Sequence, residues 1–143
     1  MAIGKRKETS SAIVRIGTFG EIVFVENALE TVKPTGISQE ISANWATHET
    51  PGQIEQSEFI APKARTLKFD VTLSAGLGVM PANYLEIIRR MVETGEHHKL
   101  IRSGKPEGKY EWYIESASEA WNVITRKGKI YSATVSLSFK QYR

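Results

Sequence analysis

Hydrophobic and polar positions alternate most regularly between Thr66 and Ser74. Leu67, Phe69, Val71 and Leu73 take one parity, and Thr66, Lys68, Asp70, Thr72 and Ser74 take the other. Successive side chains of a strand point to opposite faces, so this stretch predicts a strand with one core face and one wet face. The same period returns near the C-terminal end. There Tyr131, Ala133, Val135, Leu137 and Phe139 alternate with Ser132, Thr134, Ser136, Ser138 and Lys140, after a Lys127-Gly128 turn. Between the two stretches the period changes. Leu85, Ile88, Met91 and Val92 recur at spacings of three and four, opposite Glu86, Arg89, Arg90 and Glu93. That spacing predicts an amphipathic helix of about three turns. Pro81 suits its first position, where no backbone N–H is needed, and Gly95 suits the left-handed residue that ends it.

The remaining segments carry weaker patterns. Residues 12–16 and 21–25 are β-branched and flank Gly17-Thr18-Phe19-Gly20, which predicts a hairpin. Pro34-Thr35-Gly36 predicts a turn. After it, Ile37, Ile41, Ala43 and Trp45 alternate with Ser38, Glu40, Ser42 and Asn44, as in a half-buried strand weakened by Gln39. Residues 48–62 show no period and predict a long polar loop with an apolar tip, Phe59-Ile60. Ala75-Gly76-Leu77-Gly78 ends the central strand. A short strand follows near residues 99–102. Tyr110, Trp112 and Ile114 then alternate with Glu111, Tyr113 and Glu115. Together these elements predict an α+β domain: an antiparallel β-sandwich or partly closed barrel with one flanking helix. The reading is a single domain over residues 1–143, with residues 1–10 as a flexible N-terminal arm. Its expected core contains Leu67, Phe69, Val71, Leu73, Leu85, Ile88, Val135, Leu137 and Phe139.

Composition narrows the chemistry. Hydrophobic residues make up 41% and charged residues 24%, which fits a globular chain. With no cysteine, disulfides, thiolate metal sites and cysteine nucleophiles are excluded. No apolar run approaches the roughly 18 residues needed to span a bilayer, and no secretory signal opens the chain. The net charge of +3 is mild, and its cations are spread among acids. Lys5-Arg6-Lys7 therefore reads as a solvated arm, and no sequence-specific nucleic-acid site is expected.

Candidate catalytic groups are few. Ala75-Gly76-Leu77-Gly78 is half of a dinucleotide fingerprint, but its antiparallel setting favours a plain strand-to-helix turn. No Walker loop or Gly-x-Ser-x-Gly elbow occurs. His97-His98 is the best metal candidate, yet adjacent residues on an extended segment face opposite ways and share an ion poorly. His48 and Glu49 have no motif to bring them near. Glu111 and Glu115 lie too far apart along a strand for the separation of about 5–10 Å between glycosidase carboxylates. Trp45, Trp112 and Trp121 could form a ligand platform, although strand tryptophans more often anchor cores and interfaces. The expectation is a non-enzymatic chain with no cofactor and no metal. The Ser/Thr-rich faces of residues 66–74 and 132–138 fit either a wet monomer surface or the lumen of a ring.

The order of elements resembles the phage tail protein U (GpU) family of contractile-tailed temperate phages and related phage-tail-like bacteriocins. The resemblance spans residues 19–142. It rests on Trp45; Leu67-Lys68-Phe69-Asp70-Val71-Thr72-Leu73; the helix ending Arg90-Met91-Val92-Glu93-Thr94-Gly95; Leu100-Ile101; Gly104 and Gly108; Trp112-Tyr113-Ile114-Glu115; Gly128; and Val135-Ser136-Leu137-Ser138-Phe139-Lys140-Gln141-Tyr142. Two features depart from the family pattern. Gly78-Val79-Met80-Pro81 stands where members often carry Gly-Gly, and the Ser/Thr-rich N-terminal stretch is longer. The resemblance implies a tail-tube-like fold and a structural role in the virion tail, assembled in the host bacterial cytoplasm. It implies a hexameric ring at the hub-proximal end of the tail tube, as tube initiator or baseplate-proximal protein. The implied neighbours are the tail tube, a LysM-type hub protein, the baseplate hub and the tape measure, with the genome passing through the lumen. A tail terminator or the tube subunit itself is the neighbouring assignment, and a monomeric ligand-binding β-barrel is a more distant one. On the ring reading, Ile54, Phe59 and Ile60 of the 48–62 loop form an assembly interface.

Overall fold

The computed structural model describes residues 14–26 and 31–143, so the predicted arm at residues 1–10 and the start of the first strand, residues 12–13, lie outside the described residues. The first hairpin joins β1 (Val14–Phe19) to β2 (Ile22–Glu26). Its turn is shorter than the glycines suggest: Gly17, Thr18 and Phe19 belong to β1, and only Gly20 and Glu21 turn the chain. Gly17 serves a different purpose. A Cβ there would lie 2.0 Å from the carbonyl oxygen of Ile101, so the missing side chain lets the next strand approach. Gly20, with φ of 57°, is the residue that needs left-handed freedom.

The chain continues through β3 (Thr31–Val32), β4 (Pro34–Glu40), β5 (Ala43–His48), β6 (Gln56–Pro62) and β7 (Thr66–Ser74). A 3-10 turn at Ala75–Leu77 leads to the helix α1 (Pro81–Thr94). Then come β8 (His97–His98), β9 (Leu100–Arg102), β10 (Lys105–Pro106), β11 (Trp112–Ile124) and β12 (Ile130–Gln141). The helix forms where its spacing predicts. Pro81 occupies the first turn, and Gly95 (φ 69°) ends the helix with its N–H donating to the Met91 carbonyl. Among the described residues no helix is long and apolar enough to cross a membrane.

The strands form three antiparallel sheets, ordered β10-β9-β1-β2-β3, β4-β7-β12-β11-β8 and β5-β6. The architecture is α+β, mostly antiparallel sheet with one helix, in which a sheet curls into a half-barrel. The two large sheets meet through four aromatic rings. Phe19 stands edge-on to Phe139 at 4.9 Å, Phe24 edge-on to Phe69 at 5.5 Å, and Phe69 stacks on Phe139 at 5.2 Å. α1 lays Leu85, Ile88 and Met91 against the same core. All nine residues of the expected core are buried, joined by Trp112, whose indole N–H donates to the Glu107 carbonyl at 2.8 Å.

Three expectations from the pattern are corrected. Ile37, Ile41 and Trp45 do not share one half-buried strand. The chain breaks at Ile41-Ser42 between β4 and β5, and all three side chains are exposed. Tyr131 keeps the parity of the core face but is exposed, because the register shifts there: Val123 pairs with Ser132 and Ile124 with Ile130, which leaves Tyr131 as the extra residue of a bulge. The strand around Tyr110 starts only at Trp112 and runs 13 residues, far past Glu115, since β12 supplies a pairing partner along its whole length.

Candidate assembly surface

Residues 48–62 are not the irregular loop that the missing period suggests. Gln56–Pro62 is strand β6, paired antiparallel with β5, and only the seven-residue tip between His48 and Gln56 is irregular. The pattern hid this strand because both faces of the hairpin are wet. Without a buried side, nothing imposes alternation. The paired residues sort into two faces. Trp45 lies opposite Phe59, their rings edge-to-face at 5.3 Å, and both are more than half exposed. On the other face the His48 Nε2 and the Glu58 Oε2 lie 2.8 Å apart. The register shifts between Asn44 and Trp45, which leaves Ile60 as the extra residue of a bulge, 60% exposed. Ile54 belongs to the tip and is 89% exposed. Phe59 and Ile60 therefore lie on the strand, not at the apolar tip expected of them.

The hairpin leaves the body at Ser42 and Lys63, where the Lys63 N–H donates to the Ser42 carbonyl. Beyond that root β5 and β6 pack extensively only on each other. A two-stranded ribbon of this kind is marginally stable in water by itself. Six of the exposed large hydrophobic side chains among the described residues fall between Ile37 and Ile60. A second exposed group, Trp121, Val123, Ile124 and Tyr131, sits at the far end of the β11–β12 hairpin. The sequence singled out Trp121 as a possible anchor and Tyr131 as a core residue, but not the group, because the tail of β11 also has two wet faces.

The outer face of the β7–β12–β11 sheet is chemically different. Thr134 lies between Thr72 and Ala120, Ser136 between Asp70 and Ser118, and Ser138 between Lys68 and Ser116. These three rows form a surface of small hydroxyl side chains in which Asp70 and Lys68 are the charged members.

The candidate chemical groups are held apart. His97 lies against Glu111 (2.9 Å) and stacks on Tyr142, whereas His98 turns the other way toward Glu96 (3.2 Å) and the edge of Phe19. His48 ends β5 on the hairpin, where its partner is Glu58, and Glu49 begins the tip. Among the described residues no three His, Cys, Asp or Glu side chains are grouped to hold a metal. Glu111 precedes β11 and Glu115 falls at a register shift beside Lys140, so they do not share a strand face as expected. The three tryptophans do not converge: Trp112 is fully buried, and Trp45 and Trp121 lie on different hairpins. An apolar cavity of about 380 Å³ opens between the two large sheets, lined by Phe24, Ile37, Leu67, Phe69 and Leu100 among others, with no tryptophan in its wall.

Ion pairs tie α1 to the sheets. The Arg89 guanidinium donates two bonds to Glu119, at 2.8 and 2.6 Å, and holds that carboxyl below its ordinary range. Arg90 bridges Glu21 and Glu96, and its hydrogen bond likewise lowers the Glu96 pKa.

The arrangement is that of a two-sheet body with a projecting hairpin that exposes four large apolar side chains, Trp45, Ile54, Phe59 and Ile60. No curated protein matches the chain. A family model described as Phage P2 GpU matches residues 20–143.

Proposed function

The chain belongs to the Phage P2 GpU family and is a structural component of the phage tail, and from this premise we propose that it assembles into a ring at the hub-proximal end of the tail tube. The observation that carries the assembly reading is the β5–β6 hairpin. It exposes Trp45, Ile54, Phe59 and Ile60 while its own subunit gives it almost nothing to pack on. An apolar ribbon gains stability only when another surface takes water off it. A neighbouring copy is that surface. On this reading the chain is one domain of a homo-hexameric ring in a contractile tail. The tail tube, a LysM-type hub protein, the baseplate hub and the tape measure are its neighbours. It catalyses no reaction. The hydroxyl-rich outer face of β7, β12 and β11 lines the lumen, where small uncharged groups would let DNA pass without holding its phosphates.

Replacement of residues 44–61 by a two-residue Asn-Gly turn tests the reading. The shortened chain should keep its melting transition and lose its ring, seen by sedimentation velocity and negative-stain microscopy. A shortened chain that still forms rings overturns it. Labelling of intact tails separates the positions: label at the baseplate end supports the hub-proximal assignment. Label at the head end would make the chain a terminator, and label along the tube would make it the tube subunit.

A further inference from the structure

The charges of the hairpin and of its root are separated in a way the whole-chain balance conceals. Residues 43–62 carry Glu49, Glu55 and Glu58 and no lysine or arginine. Glu58 faces His48, whereas Glu49 and Glu55, at the tip, make no ion pair among the described residues. At the root the opposite holds. Lys63, Arg65, Lys109 and Arg143 surround a pocket of about 300 Å³, and no aspartate or glutamate lines it among the described residues. None of the four makes an ion pair among the described residues, although Arg89, Arg90, Arg102 and Lys140 all do. The cationic group is built, not scattered. Gln141, the buried polar residue of the body, accepts from the Arg65 backbone N–H and from the Arg143 guanidinium, each at 3.0 Å. The Arg143 guanidinium stands 4.6 Å from the centre of the Tyr110 ring.

We propose that this pocket receives the acidic hairpin tip of a second copy of the chain. Four cations held together with no side-chain counter-charge among the described residues repel one another, and an incoming carboxylate relieves that repulsion. The tip of the same chain cannot supply it. Six paired residues at about 3.3 Å each put Glu49 and Glu55 roughly 20 Å from their own root. The contact is therefore head-to-tail: each copy gives its tip to one neighbour and takes the tip of another. Such a heterologous contact closes into a ring or runs on as a filament. Ile54 at the tip and Ile41 and Pro62 at the root supply apolar contact between the charges. This inference rests on the assembly reading above and adds to it the receiving site and the chemistry of recognition.

Two charge-reversed chains test it. Glu49→Lys/Glu55→Lys changes tip residues that make no ion pair among the described residues. Lys63→Glu/Lys109→Glu spares Arg65 and Arg143, which are tied to Gln141. Circular dichroism first checks that each chain is folded. In sedimentation velocity at low salt, each variant alone should self-associate on the order of 100-fold more weakly than the natural chain. A one-to-one mixture should recover assembly, because each reversed tip then meets a reversed pocket. Added salt should weaken the natural assembly. Variants that assemble alone like the natural chain overturn the proposal, and so do variants that fail both alone and together. If replacing residues 44–61 abolishes assembly while the reversals do nothing, the hairpin still assembles the ring but this pocket does not receive it. If the hairpin replacement leaves rings intact, the assembly reading itself fails. A short DNA duplex serves as the competing probe. Binding that is lost in Lys63→Glu/Lys109→Glu, with self-association unchanged, would make the pocket a phosphate site instead.

Discussion

The β7–β12 pair and the β5–β6 pair are built alike and end up in opposite environments. Both are antiparallel and both bring bulky apolar side chains face to face, Phe69 against Leu137 in one and Trp45 against Phe59 in the other. In the body, β1, β2 and α1 cover those side chains, and Phe139 and Val135 lose all contact with water. In the hairpin nothing covers them, and both aromatic rings stay more than half exposed. Strand pairing is therefore common to both regions, and the third layer makes the difference. The body carries its third layer within the chain. The hairpin, on the proposed reading, obtains it from a neighbour.

The comparison is tested hardest in the body. Phe139→Ala removes a ring that touches both Phe19 and Phe69, and it should cost about 3–5 kcal/mol in a denaturant titration. A loss below about 1 kcal/mol would mean the two sheets are not held by that cluster. Gly17→Ala should cost about 1–3 kcal/mol, because its Cβ cannot pass the Ile101 carbonyl unless β1 and β9 separate. The melting temperature reports it directly, and an unchanged value would contradict the close approach of these strands. In the hairpin the scale should fall while the functional effect rises. Trp45→Ala and Phe59→Ala each remove one member of an exposed pair worth about 1 kcal/mol. Monomer stability should therefore barely move, whereas self-association should be lost. A large drop in stability would show that the hairpin packs on its own body.

The smallest effect concerns acid. Arg89 lowers the Glu119 pKa, so the pair stabilises the fold at pH values above the ordinary glutamate range of about 4. That contribution is lost as the pH falls through the lowered folded-state value and Glu119 takes up a proton. Because the Arg89 side chain is 43% exposed, solvent screening keeps the contribution to about 0.5 kcal/mol. Glu119→Gln should flatten this part of the stability profile below about pH 4 and leave assembly unchanged. A profile identical to that of the natural chain would show that the pair contributes nothing.

The sequence by itself determined the elements that have one wet side and one dry side. Leu67 to Leu73 and Ala133 to Phe139 alternate because burial selects one parity, and Leu85, Ile88 and Met91 recur because one stripe of α1 is dry. Pro81 and Gly95 marked the ends of the helix through backbone geometry that acts locally. The order of these elements also carried the family resemblance, which the match over residues 20–143 bears out. Only the tertiary structure decided the rest. β6 and the distal half of β11 have two wet faces, so no periodicity could reveal them, and their partners alone make them strands. Gly17 reads as a turn residue, yet it sits inside β1 because a strand about 80 residues away crosses it. The cationic pocket joins Lys63 and Arg65 to Lys109 and Arg143, which are distant in sequence. Charges so separated average to a mild net value along the chain, and folding is what concentrates them.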